Sequence, residues 1–355
     1  MSQTGFSRFN QWSHWMEGKG LESDIVLSSR IRLARNLRQL PFPHRLDESQ
    51  AETTLARLEE TLQAIHDRWH LDFYRLAEVS PLERQVLVEK HLVSPQLVQE
   101  PVRYQAVAID PRESISIMIN EEDHLRLQVV LPALSLQEAW HVANRVDDAL
   151  EEHLDFAFDQ KWGYLTACPT NLGTGMRASV MVHLPALVLM RQVAQVFTTL
   201  SQLGMVARGL YGEGTDALGN IFQISNQVSL GLSEEEFLHN LSVVAQQVVG
   251  SERHARQHLA REAGVRLADR VARAYGILTH ARILSSDEAL RLLSEVKLGA
   301  DLGIVPALSR ASFAQLAVLT QPGFLQLKAG RALNPLERDE LRAKLIREQL
   351  LGEAA

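Results

Sequence analysis

The sequence predicts an α+β protein in which an antiparallel β-sheet is flanked by helices and is followed by a C-terminal helical domain. Three short β-like runs lie close together, at Tyr104–Asp110, Ser114–Asn120 and Leu125–Leu131. No crossover helix fits between these runs, so they should pair as antiparallel strands. Beyond about residue 250 the chain is almost entirely helix-like, and we expect one domain over residues 1–257 and another over 258–355.

The remaining elements follow from local patterns, taken in chain order. A helix is predicted over Asp47–Asp67 because apolar residues recur there at helical spacing, and another over Ser135–His153 with Ser135 as its N-cap. A third helix is expected over residues 185–203, and Ser233 followed by three glutamates predicts a capping box at the start of a fourth. Further strands are predicted at Ser179–Leu184, Met205–Leu210 and Asn220–Ser225.

Composition excludes several classes of protein. The 355 residues carry 36 basic and 43 acidic side chains, a net charge of −7 that disfavours a protein coating nucleic acid by bulk charge. No run of about 18 apolar residues could span a bilayer. Cys168 is the single cysteine, which excludes a disulfide framework or a Cys-based zinc cluster, and a cytoplasmic protein is expected.

The basic residues are unevenly distributed. Residues 251–355 hold 16 basic and 12 acidic residues, against 20 and 31 in residues 1–250, and 30 of the 36 basic residues are arginine. Base composition of the genome explains much of such a bias. Arginine forks also bind phosphate oxygens bidentately, as lysine does not, so position along the chain must decide between the two explanations.

Four segments concentrate unusual residues. In Ser28–Asn36, Arg30 and Arg32 alternate as on a strand and could reach one polyanion, although a solvated edge strand gives the same pattern. In Asn120–Arg126, three consecutive acids suggest a site for a cationic group or a solvated turn. The other two segments are rich in glycine, which allows close backbone approach to a ligand or forms an ordinary hairpin: Cys168–Arg177 and Arg208–Asp216.

Together and in this order, these segments resemble the phosphagen (guanidino) kinase family, and more narrowly its bacterial protein arginine kinase branch. The match runs through Ser28–Asn36, Asn120–Arg126, Cys168–Arg177 and Arg208–Ser229, with Asn-Glu-Glu-Asp-His and Cys-Pro-Thr-Asn-Leu-Gly-Thr-Gly as its most specific parts. The resemblance implies a phosphagen-kinase-like catalytic domain over residues 1–257. It implies a helical domain over 258–355 that serves dimerisation and phosphoarginine binding.

The resemblance also implies roles for individual residues. Glu122 and Glu213 would clamp the substrate guanidinium, with Glu122 as principal base, and Cys168 would lie beside it. Mg²⁺ would be held by the ATP phosphates and not by a protein metal site. Met181 would pack against adenine. The ATP site would comprise Ser28, Arg30, Arg32, His91, Arg126, Arg177 and Arg208.

One further motif lies near the C-terminal end, where Arg338 and Arg342 are i,i+4 neighbours on a predicted helix. Spacing alone favours a solvated helix face. The segment Arg338–Ala343 is, however, similar to the Arg-Asp-x-x-Arg-Ala motif of the protein arginine kinases. That resemblance implies an allosteric site in which Arg338 and Arg342 bind the phosphate of phosphoarginine and Asp339 binds its guanidinium.

The function implied by the resemblance is that of an ATP:protein-arginine N-phosphotransferase, which marks proteins for Clp-type proteolysis in the bacterial stress response. Two alternatives stay open: a kinase of free arginine or another small guanidine, and a phosphoarginine-binding adaptor. The implied partners are proteins with exposed arginine, including a stress-response transcriptional repressor, the Clp protease machinery and a zinc-binding activator protein. A homodimer is expected, with no membrane and no direct nucleic-acid partner.

Overall fold

The computed structural model describes residues 9–99, 104–210, 212–213, 216–308 and 310–352. Its strands are β1 Val26–Arg35, β2 Asp72–Arg75, β3 Ala106–Ile109, β4 Ile115–Ile119, β5 Leu125–Pro132, β6 Phe158–Asp159, β7 Gly163–Tyr164, β8 Met176–His183, β9 Met205–Gly209, β10 Gly212–Glu213, β11 Asp216–Ala217 and β12 Ile221–Asn226. Its helices are α1 Glu48–Ala64, α2 His66–Trp69, α3 Pro81–Glu89, α4 Pro95–Gln99, α5 Leu136–Glu151, α6 Pro185–Leu189, α7 Val193–Gln202, α8 Glu234–Glu262, α9 Gly264–His280, α10 Ser286–Asp301, α11 Phe313–Leu319, α12 Pro322–Ala329 and α13 Pro335–Leu351.

Within the described ranges, eight strands form one sheet in the order β2-β3-β4-β5-β1-β8-β12-β9. Every neighbouring pair is antiparallel, and β3, β4 and β5 pair in this way as their short connections predicted. The hairpins β6–β7 and β10–β11 stand apart from this sheet. The α+β fold class with a helical C-terminal region is therefore confirmed.

The two faces of the sheet have different partners. One face packs its apolar side chains, such as Ile31, Leu127 and Val180, against helices that include α1, α5 and α8. The other face carries Met118, Val130 and Met181, which share a second core with the N-terminal segment and with C-terminal helices from α9 to α13. Only part of this second face is covered, and the uncovered part carries the polar side chains of the site.

Helix ends follow the sequence signals at some positions and differ from them at others, and the helix predicted over Asp47–Asp67 ends at Ala64, before α2. The predicted capping box at Ser233 is present, with Ser233 Oγ accepting from the Glu236 amide at 3.2 Å. Ser135 precedes α5, but its hydroxyl donates to the Pro132 carbonyl at 2.7 Å and does not cap the helix. The helix expected over 185–203 is broken into α6 and α7, because Arg191 adopts a left-handed conformation with φ of 58° that no helix can continue through.

The predicted division at 257/258 lies inside α8, which runs unbroken from Glu234 to Glu262. Contacts between the two parts are extensive. The buried Glu89 carboxylate at the end of α3 accepts from the amides of Gly323 and Phe324 at the start of α12, at 2.8 and 2.7 Å. His183 Nε2 at the end of β8 lies 2.8 Å from Ser294 Oγ on α10.

Candidate active site

The strand register places the predicted arginines on one face of the sheet. Arg32 on β1 lies opposite Arg177 on β8, and Arg30 is two residues away on the same strand. Arg126 on β5 lies opposite Ala34, two residues beyond Arg32. Because side chains alternate between faces with a period of two, all four guanidinium groups project to the same side.

A cavity of about 810 Å³ lies over these arginines. Arg30, Arg32, Arg126, Arg177 and His91 line it, together with the acids Glu121 and Glu122. The remainder of its wall is largely contributed by α3, α4 and the segment between them, and its aliphatic part comprises Val88, Val93, Met118 and Leu210. The cavity is large enough for a nucleotide-sized ligand.

The positive charges of the arginines in this cavity repel one another. Burial, with the nearby charges of Arg177 and Arg126, lowers the pKa of Arg30 to about 10. Burial and the same neighbours, with Arg30, lower the pKa of Arg32 well below its ordinary value, and burial and Arg208 lower that of Arg177. The Nε atoms of Arg32 and Arg177 are buried with no hydrogen-bond partner among the described residues. Buried donors and excess positive charge together fit a polyanion such as a triphosphate.

Arg126 is the one arginine of this group that is paired with acids in the described residues. Its guanidinium lies 2.5 Å from the Glu121 carboxylate and donates to Glu122 at 2.8 Å. Glu121 also accepts from Ser94 Oγ at 2.5 Å, which ties it to the segment before α4. Arg126 therefore connects the cationic cavity to Glu122.

Glu122 borders a second, smaller cavity of about 220 Å³. Arg32, Arg126 and Arg177 also line it, so the two cavities share a wall. Cys168 lines the smaller cavity, half-buried, with its Sγ 3.0 Å from Thr170 Oγ1. A carboxylate, a thiol and three arginines surround this space, an arrangement that suits a cationic acceptor next to a phosphate held by the arginines.

Asp123 and Asn36, which the sequence analysis did not assign, position this smaller cavity. The buried Asp123 carboxylate accepts from Asn36 Nδ2 at 2.7 Å and from the Ala167 amide at 2.8 Å. The Asn36 Oδ1 accepts from the His124 amide at 2.9 Å. These bonds hold the Cys168 segment beside Glu122. Their signal was present in the sequence, because Asn36 and Asp123 stand inside the two motifs already singled out.

Of the other residues predicted for the ATP site, His91 lines the larger cavity, whereas Ser28 and Arg208 do not. Burial together with the charge of Arg30 lowers the pKa of His91 to about 3, so the ring is neutral at pH 7. Ser28 is buried further along β1, opposite Met181, and neither is part of the cavity wall. Arg208 is exposed on β9, opposite Gln223, whose Oε1 accepts from Arg30 Nη2 at 2.5 Å.

Glu213 lies in β10, where its backbone pairs with Asp216, but its side chain and the neighbouring residues 214 and 215 are outside the described residues. The structure therefore brings together Arg30, Arg32, His91, Arg126, Arg177, Glu122 and Cys168. It places Ser28 and Arg208 on the same face at a greater distance from the cavity.

The glycines of the Cys168–Arg177 segment have a packing role that the sequence analysis did not predict. A Cβ on Gly173, whose φ is +106°, would lie 2.7 Å from the Ser229 carbonyl oxygen. A Cβ on Gly175 would lie 2.7 Å from the Ala34 carbonyl oxygen and 2.5 Å from Arg35 Nη1. Both glycines thus permit close packing of backbone on protein, and their predicted role in ligand approach stays a prediction.

The C-terminal motif lies on α13. Arg342 is buried, and its guanidinium donates to the Thr320 and Leu284 carbonyls, each at 2.7 Å, and to Asp339 at 2.5 Å. Arg338 is half-buried one turn earlier. Arg342 therefore links α13 to the segments preceding α10 and α12, and its predicted phosphate contact stays a prediction.

No helix in the described ranges is long and apolar enough to cross a membrane. No three His, Cys, Asp or Glu side chains in those same ranges come together as metal ligands.

Comparisons with known proteins agree with this geometry. A family model described as ATP:guanido phosphotransferase, C-terminal catalytic domain, matches residues 54–255, and one described as Protein-arginine kinase McsB C-terminal domain matches 264–354. A protein-arginine kinase of Symbiobacterium thermophilum is 59% identical over 341 residues, covering 95% of this chain and 96% of the relative. A protein-arginine kinase of Brevibacillus brevis is 52% identical over 352 residues, covering 99% and 98%.

Among solved structures, a lombricine kinase matches 72% of this chain and 72% of its own, with a TM-score of 0.59 and 25% identity. That structure supports the fold of the sheet and its flanking helices. The full-length relatives and the two matched models extend over both parts of the chain. The chain therefore belongs to the protein-arginine kinase family, with an ATP:guanido phosphotransferase catalytic domain and the C-terminal domain found in that family.

Proposed function

We propose that this protein transfers the γ-phosphate of ATP to arginine side chains of proteins. The observation that carries the proposal is the wall shared by the two cavities, where Arg32, Arg126, Arg177 and Glu122 line both the cationic, nucleotide-sized space and the smaller space beside Cys168. The relatives named protein-arginine kinase support a protein as the acceptor.

The chemistry follows from the residue types. Phosphoryl transfer passes through a loose, metaphosphate-like state, so catalysis depends on positioning and charge stabilisation. Arg30, Arg32, Arg126 and Arg177 would hold the triphosphate, with Arg208 reaching it from β9. Mg²⁺ bound to the phosphate oxygens would neutralise part of their charge.

The acceptor is a guanidinium, which is protonated at neutral pH and attacks poorly. Glu122 would orient it through charge-assisted hydrogen bonds and accept its proton, with Glu213 as the second clamp and Cys168 alongside. The site is built for a cationic acceptor, since hydroxyl acceptors need no carboxylate clamp.

The decisive experiment replaces Glu122 with glutamine. Glu122→Gln should lower incorporation of acid-labile phosphate into an unfolded, arginine-containing protein by on the order of 10²–10⁴-fold, because it removes the base and one charge of the clamp. Glu60→Gln, a change of an exposed glutamate on α1, is the matched control and should leave the rate unchanged. Mass spectrometry under non-acidic conditions should locate the phosphate on arginine. Retained activity of Glu122→Gln, or phosphate on Ser, Thr or Tyr, would refute the proposal.

A steady-state assay distinguishes the two alternative functions. Free arginine should be a poor acceptor compared with an unfolded protein if the enzyme acts on proteins. Equal or better turnover of free arginine would identify a small-guanidine kinase. Phosphoarginine binding without phosphoryl transfer would identify an adaptor.

The finer assignments rest on the family resemblance. We propose a cytoplasmic homodimer whose products are degraded by the Clp protease machinery in the stress response. Its substrates would include a transcriptional repressor, and a zinc-binding protein would activate it. Loss of phosphoarginine in a deletion strain, with stabilisation of the repressor, is the expected cellular result.

The proposed phosphoarginine site in the C-terminal domain rests on Arg338, Asp339 and Arg342. Because Arg342 is buried among carbonyl groups, its substitution would also destabilise the fold. Arg338→Ala is therefore the better test and should weaken phosphoarginine binding, whereas Arg331→Ala, at an exposed arginine before α13, should not. Unchanged binding in Arg338→Ala would refute this site.

A further inference from the structure

Large apolar side chains are exposed in two segments on either side of the Cys168 segment. Phe158 and Trp162 belong to the β6–β7 hairpin and are 48% and 45% exposed. Val228, Leu230 and Leu232 follow β12 and are between 42% and 49% exposed. We call these five residues the apolar shelf. Single exposed apolar residues are common on protein surfaces, but a group of five beside a site is not.

Close backbone packing joins the two halves of the apolar shelf to the smaller cavity. The Tyr164 amide donates to the Gly173 carbonyl at 2.7 Å, and a Cβ on Gly163 would lie only 2.4 Å from that oxygen. On its other side, Gly173 packs against Ser229 and Leu230, with its Cβ position 3.0 Å from Leu230 Cα. The segment between the two halves supplies Cys168, Thr170 and Asn171 to the smaller cavity.

The hairpin half of the apolar shelf is held rigidly. Asp159 Oδ1 accepts from the amides of Lys161 and Trp162 at 2.8 and 3.0 Å, which fixes the turn. The Phe158 ring packs edge-on against Tyr164, with 5.2 Å between ring centroids. The Arg35 guanidinium lies 3.5 Å from the centroid of the Tyr164 ring and is itself paired with the buried Asp147. Preformed aromatic groups lose little conformational entropy when they bind a partner.

The half that follows β12 is also anchored. Ser229 Oγ donates to the Met176 carbonyl at 2.8 Å, and Asn226 Nδ2 donates to the Val228 carbonyl at 3.0 Å. The side chains of Val228, Leu230 and Leu232 are therefore exposed on a fixed backbone.

Acidic groups border the apolar shelf. Glu234, Glu235 and Glu236 follow Leu232 after the N-cap residue Ser233 and form the first turn of α8. Burial raises the pKa of Tyr164, and the carboxylates of Asp147, Glu151 and Glu234 raise it further against the opposing effect of Arg35. An apolar surface with an acidic border complements a chain that carries both apolar and arginine side chains.

We propose that the apolar shelf docks an extended, unfolded segment of the substrate protein on either side of its acceptor arginine. This inference rests on the proposed function, because it names the form in which a protein acceptor is recognised. A folded protein keeps its large apolar side chains inside, so an unfolded segment alone offers them together with an arginine that enters the smaller cavity. The apolar shelf thus favours unfolded chains over folded ones.

The test uses the full-length protein with ATP and a reduced, alkylated protein that contains arginine. Trp162→Ser/Leu230→Ser should raise KM for this substrate by about tenfold or more, because two anchoring side chains are lost, while kcat and ATP affinity stay unchanged. Leu21→Ser/Val265→Ser changes two exposed apolar residues elsewhere, 62% and 85% exposed, and should leave KM unchanged. Val228→Ser/Leu232→Ser serves as a second variant that leaves the hairpin intact.

An apolar peptide without arginine should also inhibit the wild type competitively against the protein substrate, and it should inhibit the shelf variants less. If the wild type incorporates phosphate on arginine but neither shelf variant raises KM, this inference is overturned and the proposed function stands. If the wild type incorporates no phosphate on protein arginine, the proposed function is overturned and this inference with it.

Discussion

Among the individual residues of the site, Arg32 illustrates the electrostatic cost of the cluster. Its guanidinium is buried, has an unpaired Nε and faces the charges of Arg30, Arg126 and Arg177. The arrangement proposed to bind a triphosphate is therefore expected to destabilise the protein when no anion is present. Active sites commonly combine strong ligand binding with such a loss of stability.

This trade-off predicts the behaviour of Arg32→Met, which keeps much of the side-chain volume and removes the charge. Without nucleotide, the Tm should rise by about 2–4 °C, because repulsion and charge burial are relieved. ATP affinity should fall on the order of 100-fold. Differential scanning and titration calorimetry measure the two effects.

Arg38→Met is the matched control, since Arg38 is exposed and paired with the exposed Asp155 at 3.1 Å. It should change neither quantity appreciably. A lower Tm for nucleotide-free Arg32→Met would contradict the proposed repulsion in the empty cavity.

The sequence predicted part of this cluster for a simple reason. Side chains alternate along a strand, so Arg30 and Arg32 were expected on one face of β1. The register that sets Arg177 opposite Arg32 depends on pairing between distant segments, and local pattern holds no information about it. Resemblance to a family, and not periodicity, supplied Arg177.

Among the elements, the Cys168–Arg177 segment depends on glycine at position 173, where its backbone packs closely against the backbone of Ser229 and Leu230. Gly173→Ala should destabilise the protein by about 2–3 kcal/mol and reduce phosphoryl transfer, because the new Cβ meets the Ser229 carbonyl at a positive φ. Chemical denaturation and the incorporation assay are the measurements. Gly250→Ala is the control, since a Cβ there meets open space within α8 and should be neutral or stabilising. A Gly173→Ala protein of normal stability would show that the backbone at Ser229 can move to accommodate the new Cβ.

The contact between α3 and α12 predicts a dependence on pH. Burial raises the pKa of Glu89 from 4.5 to about 7, although the Gly323 and Phe324 amides favour its ionised form. The folded state thus binds the proton more tightly than the unfolded chain. The stability from this group is complete at low pH and is lost as pH rises from about 4.5 to about 7, an effect on the order of 3 kcal/mol.

Thermal unfolding between pH 5 and pH 8 tests this dependence. The Tm of the wild type relative to Glu89→Gln should fall across this range, because glutamine has no proton to lose. Glu83→Gln is a control at an N-terminal position of the same helix, where the capping carboxylate is exposed. A Tm difference that stays constant with pH would show that Glu89 does not titrate in this range.

Sequence patterns were least informative about the elements that wall the larger cavity. The short helices α3 and α4 carry weak periodicity, and they were not predicted. Their contribution depends on tertiary contacts such as those of Ser94 with Glu121 and Gln128 with the His91 carbonyl. The break between α6 and α7 at Arg191 was not predicted, because an arginine in the sequence does not indicate a left-handed backbone conformation.

In the molecule as a whole, the C-terminal helices complete the core of the catalytic sheet. Leu290 packs against Gly219, and Ser294 forms hydrogen bonds with both His183 and Asn220. The first amides of α12 donate to the Glu89 carboxylate. Separation at residue 257 would expose a large apolar surface on each part.

A fragment of residues 1–257 is therefore expected to aggregate or to remain only partly folded, and the intact chain is expected to unfold in one main transition. Size-exclusion chromatography and calorimetry check both points. A monomeric fragment 1–257 that binds ATP with the affinity of the full chain would contradict the shared core. The sequence could not reveal this, because composition and charge distinguish the two parts while the contacts between them are long-range.

The ion pair between Arg126 and Glu122 has a consequence for the order of events. A triphosphate attracts Arg126 and an acceptor guanidinium attracts Glu122, so each ligand weakens the bond that the other must break. By thermodynamic linkage, nucleotide and acceptor then strengthen each other's binding by the same factor. The nucleotide-free protein would hold arginine-bearing chains weakly. An enzyme with this property does not sequester its substrates when ATP is scarce.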